Sequence, residues 1–218
     1  RLDLLDEPFK TLLRDGTRKL LFLGRLSTKK GLDRLLPALP RLPEDVRLVV
    51  AGPDEGARAG LERTTAALGL EGRVQFVGPV TGLARAALLE RAELLLLPSR
   101  SENFGNVVLE ALAAGTPAVV TPEVGAAEVL RHTGAGRVVA GTPEALAEDL
   151  NRVLGDSSLL RDLRRRARGA AEDYTWPRVA ERLEHEFERV LDQASDRTAG
   201  LPVGAGVRAL SEAGTPAN

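Results

Sequence analysis

Short runs of Leu and Val recur along this chain, separated by segments of helical period, and that alternation limits the fold more than any other feature. Strands buried on both faces read as unbroken apolar runs and belong to parallel sheets joined by crossover helices. An antiparallel sheet with one wet face would alternate apolar and polar residues instead. The candidate strands are residues 19–24, 47–51, 74–77, 93–97, 118–121 and 136–139. The first intervening helix carries Leu32, Leu35, Leu36 and Leu39 at i, i+3, i+4 and i+7, which puts all four on one face. Pro37 lies inside that pattern and should kink or shorten it. Helical period returns over 61–68 and 83–91. Pro143 opens a further helix to about Leu154, with Thr142 as its N-cap. Two more helices close the fold, at 158–172 and from 176 to about 194. The fold class expected is α/β, a doubly wound parallel sheet of Rossmann-like type.

A length of 218 residues suits one domain with appendages. Residues 1–17 read as a connector feeding the first strand and 18–194 as the domain. Residues 195–218, rich in Gly, Ala and Pro and without sustained period, read as a flexible tail. The chain begins at Arg1 and holds no Met, so the expectation is a piece cut from a longer protein at that connector. No apolar stretch approaches the ~20 residues that cross a bilayer. With no Cys there is no disulfide framework, thiolate nucleophile or Cys-based metal site. A net charge of -1 draws nothing to nucleic acid, and one Trp, one Tyr and five Phe make a poor base-stacking platform. Cytoplasm is the default compartment.

In open parallel sheets ligands bind beyond the carboxyl ends of the strands, so the loops leaving each strand carry the chemistry. The first, FLGRLSTKKGL, places Arg25 just after Gly24, and Lys30 with Gly31 at the mouth of the next helix. Cations beside the free N–H groups of a helix start form an anion site, with phosphate as the natural ligand. The alternative for a bare basic pair is two solvated loop residues. G-x-G-x-x-G after the first strand and G-x-x-x-x-G-K-[ST] are both missing, which disfavours nicotinamide cofactors and P-loop hydrolysis. No Asp-x-Asp pair is present to hold a divalent metal, so no metal is expected.

The loop after the fourth strand, PSRSENFGNVVLEALAAGTP, has a legible end: Leu109 and Leu112 form a stripe, Gly115 fits a helix C′ position and Pro117 prevents continuation. Its front places Glu102, Asn103, Phe104 and Gly105 where a ligand would lie, with Glu110 eight residues beyond Glu102. A helix running through the whole segment would separate the two carboxylates by about 12 Å along its axis and about 80° around it. That is too far for a glycosidase pair. It suits a grip on the two ends of an elongated ligand. The competing reading makes Glu102 a helix cap and Glu110 an exposed glutamate.

ENFGNVVLEALAAGTP together with FLGRLSTKKGLDRLL resembles the C-terminal half of glycosyltransferase family 4, the retaining enzymes of GT-B fold, over about Thr17 to Ala194. The resemblance implies a donor-binding half that takes a nucleoside-diphosphate sugar without metal or other cofactor. A missing N-terminal half would hold most of the glycan, lipid-linked or small-molecule acceptor. It allots donor-sugar hydroxyls to Glu102, the ribose to Glu110 and the diphosphate to Arg25 and Lys30. Backbone N–H groups of Asn103, Phe104, Gly105 and Asn106 would hold sugar and phosphate, and Val80 in FVGPV would line the base. Gly24 ends the first strand at the site. Gly52, in AGPDEG, matches a glycine-bearing turn where a side chain would crowd the ligand. Glu102, Arg25 and Lys30 are the catalytic candidates, and the resemblance supplies no protein nucleophile.

Other features carry less. His132 and His185 have no metal-ligand company, and the Trp176 ring suits packing. The run RDLRRRARGA reads as a solvated helix face; the sharper reading is attraction to anionic lipid at the inner membrane surface. Two rival functions are a nucleotide-sugar epimerase on a similar scaffold, whose histidine and carboxylate chemistry the sequence does not show, and a non-catalytic nucleotide-binding module.

Overall fold

A computed structural model describes residues 5–172 and 174–199. Six strands form one parallel sheet: β1 (Arg18–Leu23), β2 (Val46–Ala51), β3 (Val74–Gly78), β4 (Leu94–Leu97), β5 (Ala118–Val120) and β6 (Gly136–Val138), in the order β3-β2-β1-β4-β5-β6. All six expected strands are found, within about two residues at each end, and the doubly wound α/β class is the observed one. The reason is visible in β1 and β4, where residues 20–23 and 94–97 are buried on both faces. Such strands leave no position for a polar residue.

The chain runs outward from β1 to β2 and β3, then returns to lay β4 on the other side of β1. The point of reversal therefore lies between β1 and β4, which is where doubly wound sheets open a ligand crevice.

Leu32, Leu35, Leu36 and Leu39 are all buried, as the spacing requires. Pro37 has the expected effect: α2 (Leu32–Leu35) is one turn long and continues as a 3₁₀ segment, Leu36–Arg41. Then follow α3 (Arg58–Ala67), α4 (Gly82–Arg91) and α5 (Asn106–Ala113). The end of α5 is a Schellman closure: Gly115 N–H donates to the Leu112 carbonyl at 2.9 Å and Thr116 N–H to that of Ala111 at 2.8 Å, with Gly115 at φ 79°. Beyond it come α7 (Pro143–Gly155), capped by Thr142 through the Ala145 N–H, and α8 (Ser157–Glu172).

Two helices had no counterpart in the sequence reading. One is α1 (Glu7–Arg14), inside the supposed connector; it buries Leu12 and Leu13 in the main core, as does Leu5 before it. The other is α6 (Ala127–Thr133), between β5 and β6, which buries Val129 and Leu130. A first compact unit ends at Tyr174. The second contains α9 (Trp176–Ala199), whose Leu183, Phe187, Val190 and Leu191 share one face by their spacing. The Trp176 ring and most of the expected flexible tail, residues 200–218, lie outside the described residues.

Candidate functional site

Loops from β1 and β4 meet at the point of reversal, and a glycine brings them together. Gly31 has φ 69°, and a Cβ built on it would sit 2.0 Å from the Pro98 carbonyl oxygen, so only glycine lets the two backbones come this close. The Arg100 N–H donates to the Lys29 carbonyl at 2.7 Å beside that contact. Across the seam Lys30 Nζ pairs with Glu102 Oε2, the two side chains only 14% and 20% exposed. The structure thus joins the residue expected to take phosphate and the residue expected to take sugar, 72 positions apart in sequence.

A second tie secures the seam from outside. Arg100 forks onto Asp33 of α2, one nitrogen on each carboxylate oxygen at 2.7 and 2.6 Å, and its Nη1 also donates to the Thr28 carbonyl. That hydrogen bond, helped by the charge of Arg100, holds the Asp33 carboxyl below its usual value. A hollow of about 490 Å³ opens next to the fork, lined by Lys29, Leu32, Asp33, Leu61 and Arg100 among others; Lys30 and Glu102 do not line it.

The loop from Glu102 to Gly105 is not helical and is braced by the segment before α6, where Glu102 bridges to Val124. Glu102 N–H donates to the Glu123 carbonyl at 3.2 Å, Gly125 N–H to that of Glu102 at 3.1 Å, and Ala126 N–H to that of Phe104 at 2.8 Å. A Cβ on Gly125 would meet the Asn103 carbonyl oxygen at 2.1 Å. Ser99 is wholly buried at the loop's base, and its carbonyl accepts from Thr121 Oγ1 at 2.6 Å. Gly105, at φ 88°, ends the loop as the N-cap of α5, with Asn106 its first residue. This corrects two expectations. The segment 102–110 is not helical throughout, so the separation worked from a continuous helix does not apply. Nor is Glu102 a cap, because the cap position belongs to Gly105.

Glu110 lies outside the Lys30–Glu102 seam, on α5, and receives Arg85 from α4: Nε and Nη2 both reach its Oε2, at 2.8 and 2.6 Å. Arg25 points another way, to Glu55 in the loop after β2, at 2.7 Å. The two cations expected to share one diphosphate are therefore held by different carboxylates. Val80, in the loop leaving β3, is buried in the core. For Gly52 the structure supplies a reason other than ligand crowding: its φ is 145° and a Cβ would stand 1.9 Å from the Gly24 carbonyl oxygen, so β1 and β2 exit side by side only with glycine there.

Sequence reasoning missed Gly125, Arg85, Glu55 and Arg100. Each acts through a partner at least 22 positions away, and no local pattern encodes that. In α8, Arg164 bonds the Ala92 carbonyl and lies 3.7 Å from Glu93, while Arg165 and Arg166 both pair with Asp162. Among the described residues no group of three His, Asp or Glu side chains could hold a metal ion, and no helix is long and apolar enough to cross a membrane.

Residues 5–170 match the family of glycosyl transferases group 1. An uncharacterised glycosyltransferase of Methanocaldococcus jannaschii is 33% identical over 83% of this chain and 47% of its own length. A D-inositol 3-phosphate glycosyltransferase of Salinispora tropica is 38% identical over 74% of this chain and 36% of its own. The chain thus spans less than half the length of these relatives. In fold it is similar to Anabaena HepE, solved in complex with UDP and glucose, with a TM-score of 0.74 and 23% identity over 85% of this chain and 53% of that one. With its parallel six-stranded sheet and its match over residues 5–170, the chain belongs to the group 1 glycosyl transferases.

Proposed function

We propose that the chain is the C-terminal, donor-binding half of a retaining, metal-independent glycosyltransferase of family 4. It would take a sugar from a nucleoside-diphosphate sugar and pass it to a hydroxyl of an acceptor held mainly by an N-terminal half outside this chain. The observation that carries the reading is the Lys30–Glu102 pair, closed across the reversal between β1 and β4. Support comes from the UDP and glucose in the HepE complex and from relatives named as glycosyltransferases.

On this reading the pair is the resting state of the site. A diphosphate carries more charge than one carboxylate and competes for Lys30, which frees Glu102 to accept hydrogen bonds from the sugar hydroxyls. Arg25 is held only by an exposed ion pair, of the kind worth about 0–1 kcal/mol, and turns to the same diphosphate at little cost. Charge grows on the leaving diphosphate as the glycosidic bond breaks. Lys30 and Arg25 stabilise it then more than in the ground state, which is what lowers the barrier. Glu110 takes the ribose, and Glu102 positions the sugar. The compartment implied is the cytoplasm, reaching the inner membrane surface where the acceptor is lipid-linked.

The test is to incubate the chain with uridine-, guanosine- and adenosine-diphosphate sugars and follow both binding and sugar release. Saturable binding without transfer is expected, because the acceptor half is elsewhere; robust transfer by this chain alone contradicts the assignment as a half.

A further inference from the structure

We propose that Arg85 is a positioning residue for the nucleotide end of the site, holding one oxygen of Glu110 so that the other is presented to the ribose hydroxyls of a nucleoside diphosphate. The inference rests on the donor-binding reading above and adds a residue to it.

The geometry of the pair points this way. Arg100 and Asp33 form a closed fork, each nitrogen on its own oxygen, so that both carboxylate oxygens are engaged. Arg85 instead puts both Nε and Nη2 on Oε2 of Glu110, which leaves Oε1 outside the fork. A carboxylate held by one oxygen keeps its orientation while its second oxygen can still accept from a ligand. Arg85 is also badly placed for helix stability. It lies in the first turn of α4 (Gly82–Arg91), where the positive end of the helix dipole disfavours a cation and where no acidic residue compensates. Nor does the pair contribute much to folding, since its side chains are 35% and 42% exposed. The helix that carries Arg85 starts directly after the loop holding Val80, which the family resemblance allots to the base. The contact therefore connects the base loop to the ribose carboxylate.

Arg85→Ala leaves Glu110 free to sample other rotamers, and re-ordering one such side chain on binding weakens affinity by about two- to tenfold. The experiment is calorimetric titration of wild type, Arg85→Ala and Arg85→Lys with uridine, guanosine and adenosine diphosphates, then with the 2′,3′-dideoxy form of the tightest. Expected are a two- to tenfold loss in Arg85→Ala for the ribonucleotide, partial recovery in Arg85→Lys, no change for the dideoxy form and an unaltered melting temperature. Unchanged ribonucleotide affinity, an equal loss for the dideoxy form or a large fall in melting temperature would each overturn the positioning role. Wild type that binds no nucleoside diphosphate, or that binds the dideoxy form equally well, would overturn instead the nucleotide reading or the ribose role of Glu110.

Discussion

A methyl group at position 31 has nowhere to go. Gly31 holds φ 69°, and its added Cβ would lie 2.0 Å from the Pro98 carbonyl oxygen, whereas a carbon and a carbonyl oxygen need about 3.3 Å. Gly31→Ala therefore incurs two costs: about 1–2 kcal/mol for a left-handed L-residue, and roughly 1–3 kcal/mol for strain in moving one backbone off the other. Gly16 isolates the first, because it has φ 75° and nothing within 4 Å of its would-be Cβ. Urea unfolding of both variants should show Gly16→Ala destabilised by about 1–2 kcal/mol and Gly31→Ala by about 2–5 kcal/mol. The shift falls on the neighbour of Lys30, so nucleoside diphosphate binding should suffer in Gly31→Ala and survive in Gly16→Ala. If the two variants are equally stable and both bind as wild type, close approach of the β1 and β4 loops does not build the site.

Asp149 is 8% exposed and receives Nε and Nη2 of Arg137 on one oxygen, at 2.9 and 2.6 Å. Asp149→Ala should cost about 1–3 kcal/mol by removing the partner of Arg137, which is 36% exposed, and should lower the melting temperature in a thermal scan by roughly 2–12 °C. Two carboxyls should shape the acid limb of stability. Asp33 is held below its ordinary 3.8 by Arg100. Asp15 is pushed up by burial but brought lower on balance by hydrogen bonds from Lys19 and Thr17. A lowered folded-state pKa stabilises above the unfolded value and loses that contribution as pH falls through the folded one. Urea titrations between pH 5 and 2 should therefore show Asp33→Asn with a shallower loss below about pH 4, by less than about 1 kcal/mol because the pair is exposed. Asp15→Asn should also lose stability at neutral pH, since Lys19 is only 5% exposed and depends on that partner. Unchanged acid limbs in both variants would refute the assignment.

The strands were legible because burial on both faces demands Leu and Val, and the meeting of the loops after β1 and β4 because a doubly wound sheet opens its crevice where the strand order reverses. The helices that escaped are those whose pattern is short or displaced. In α6 the run AEVLRHT offers three apolar residues over seven, one of them only an Ala, and α1 sits among charges that look like a connector until Leu12 and Leu13 find the core. The bracing of the site was not legible for a different reason. Gly31 against Pro98, Gly125 against Asn103 and Arg85 on Glu110 are contacts between distant segments, and only the assembled sheet brings them into register. Gly52 shows the same limit, because its need for glycine comes from the strand beside it.

Glu102 and Glu110 take different parts of one donor in the proposed site, so the most direct measurement titrates Glu102→Ala and Glu110→Ala with a nucleoside diphosphate and with the corresponding intact sugar donor. Glu110→Ala should weaken both ligands, while Glu102→Ala should weaken the sugar donor and spare the diphosphate. Equal losses of both ligands in both variants would contradict that division.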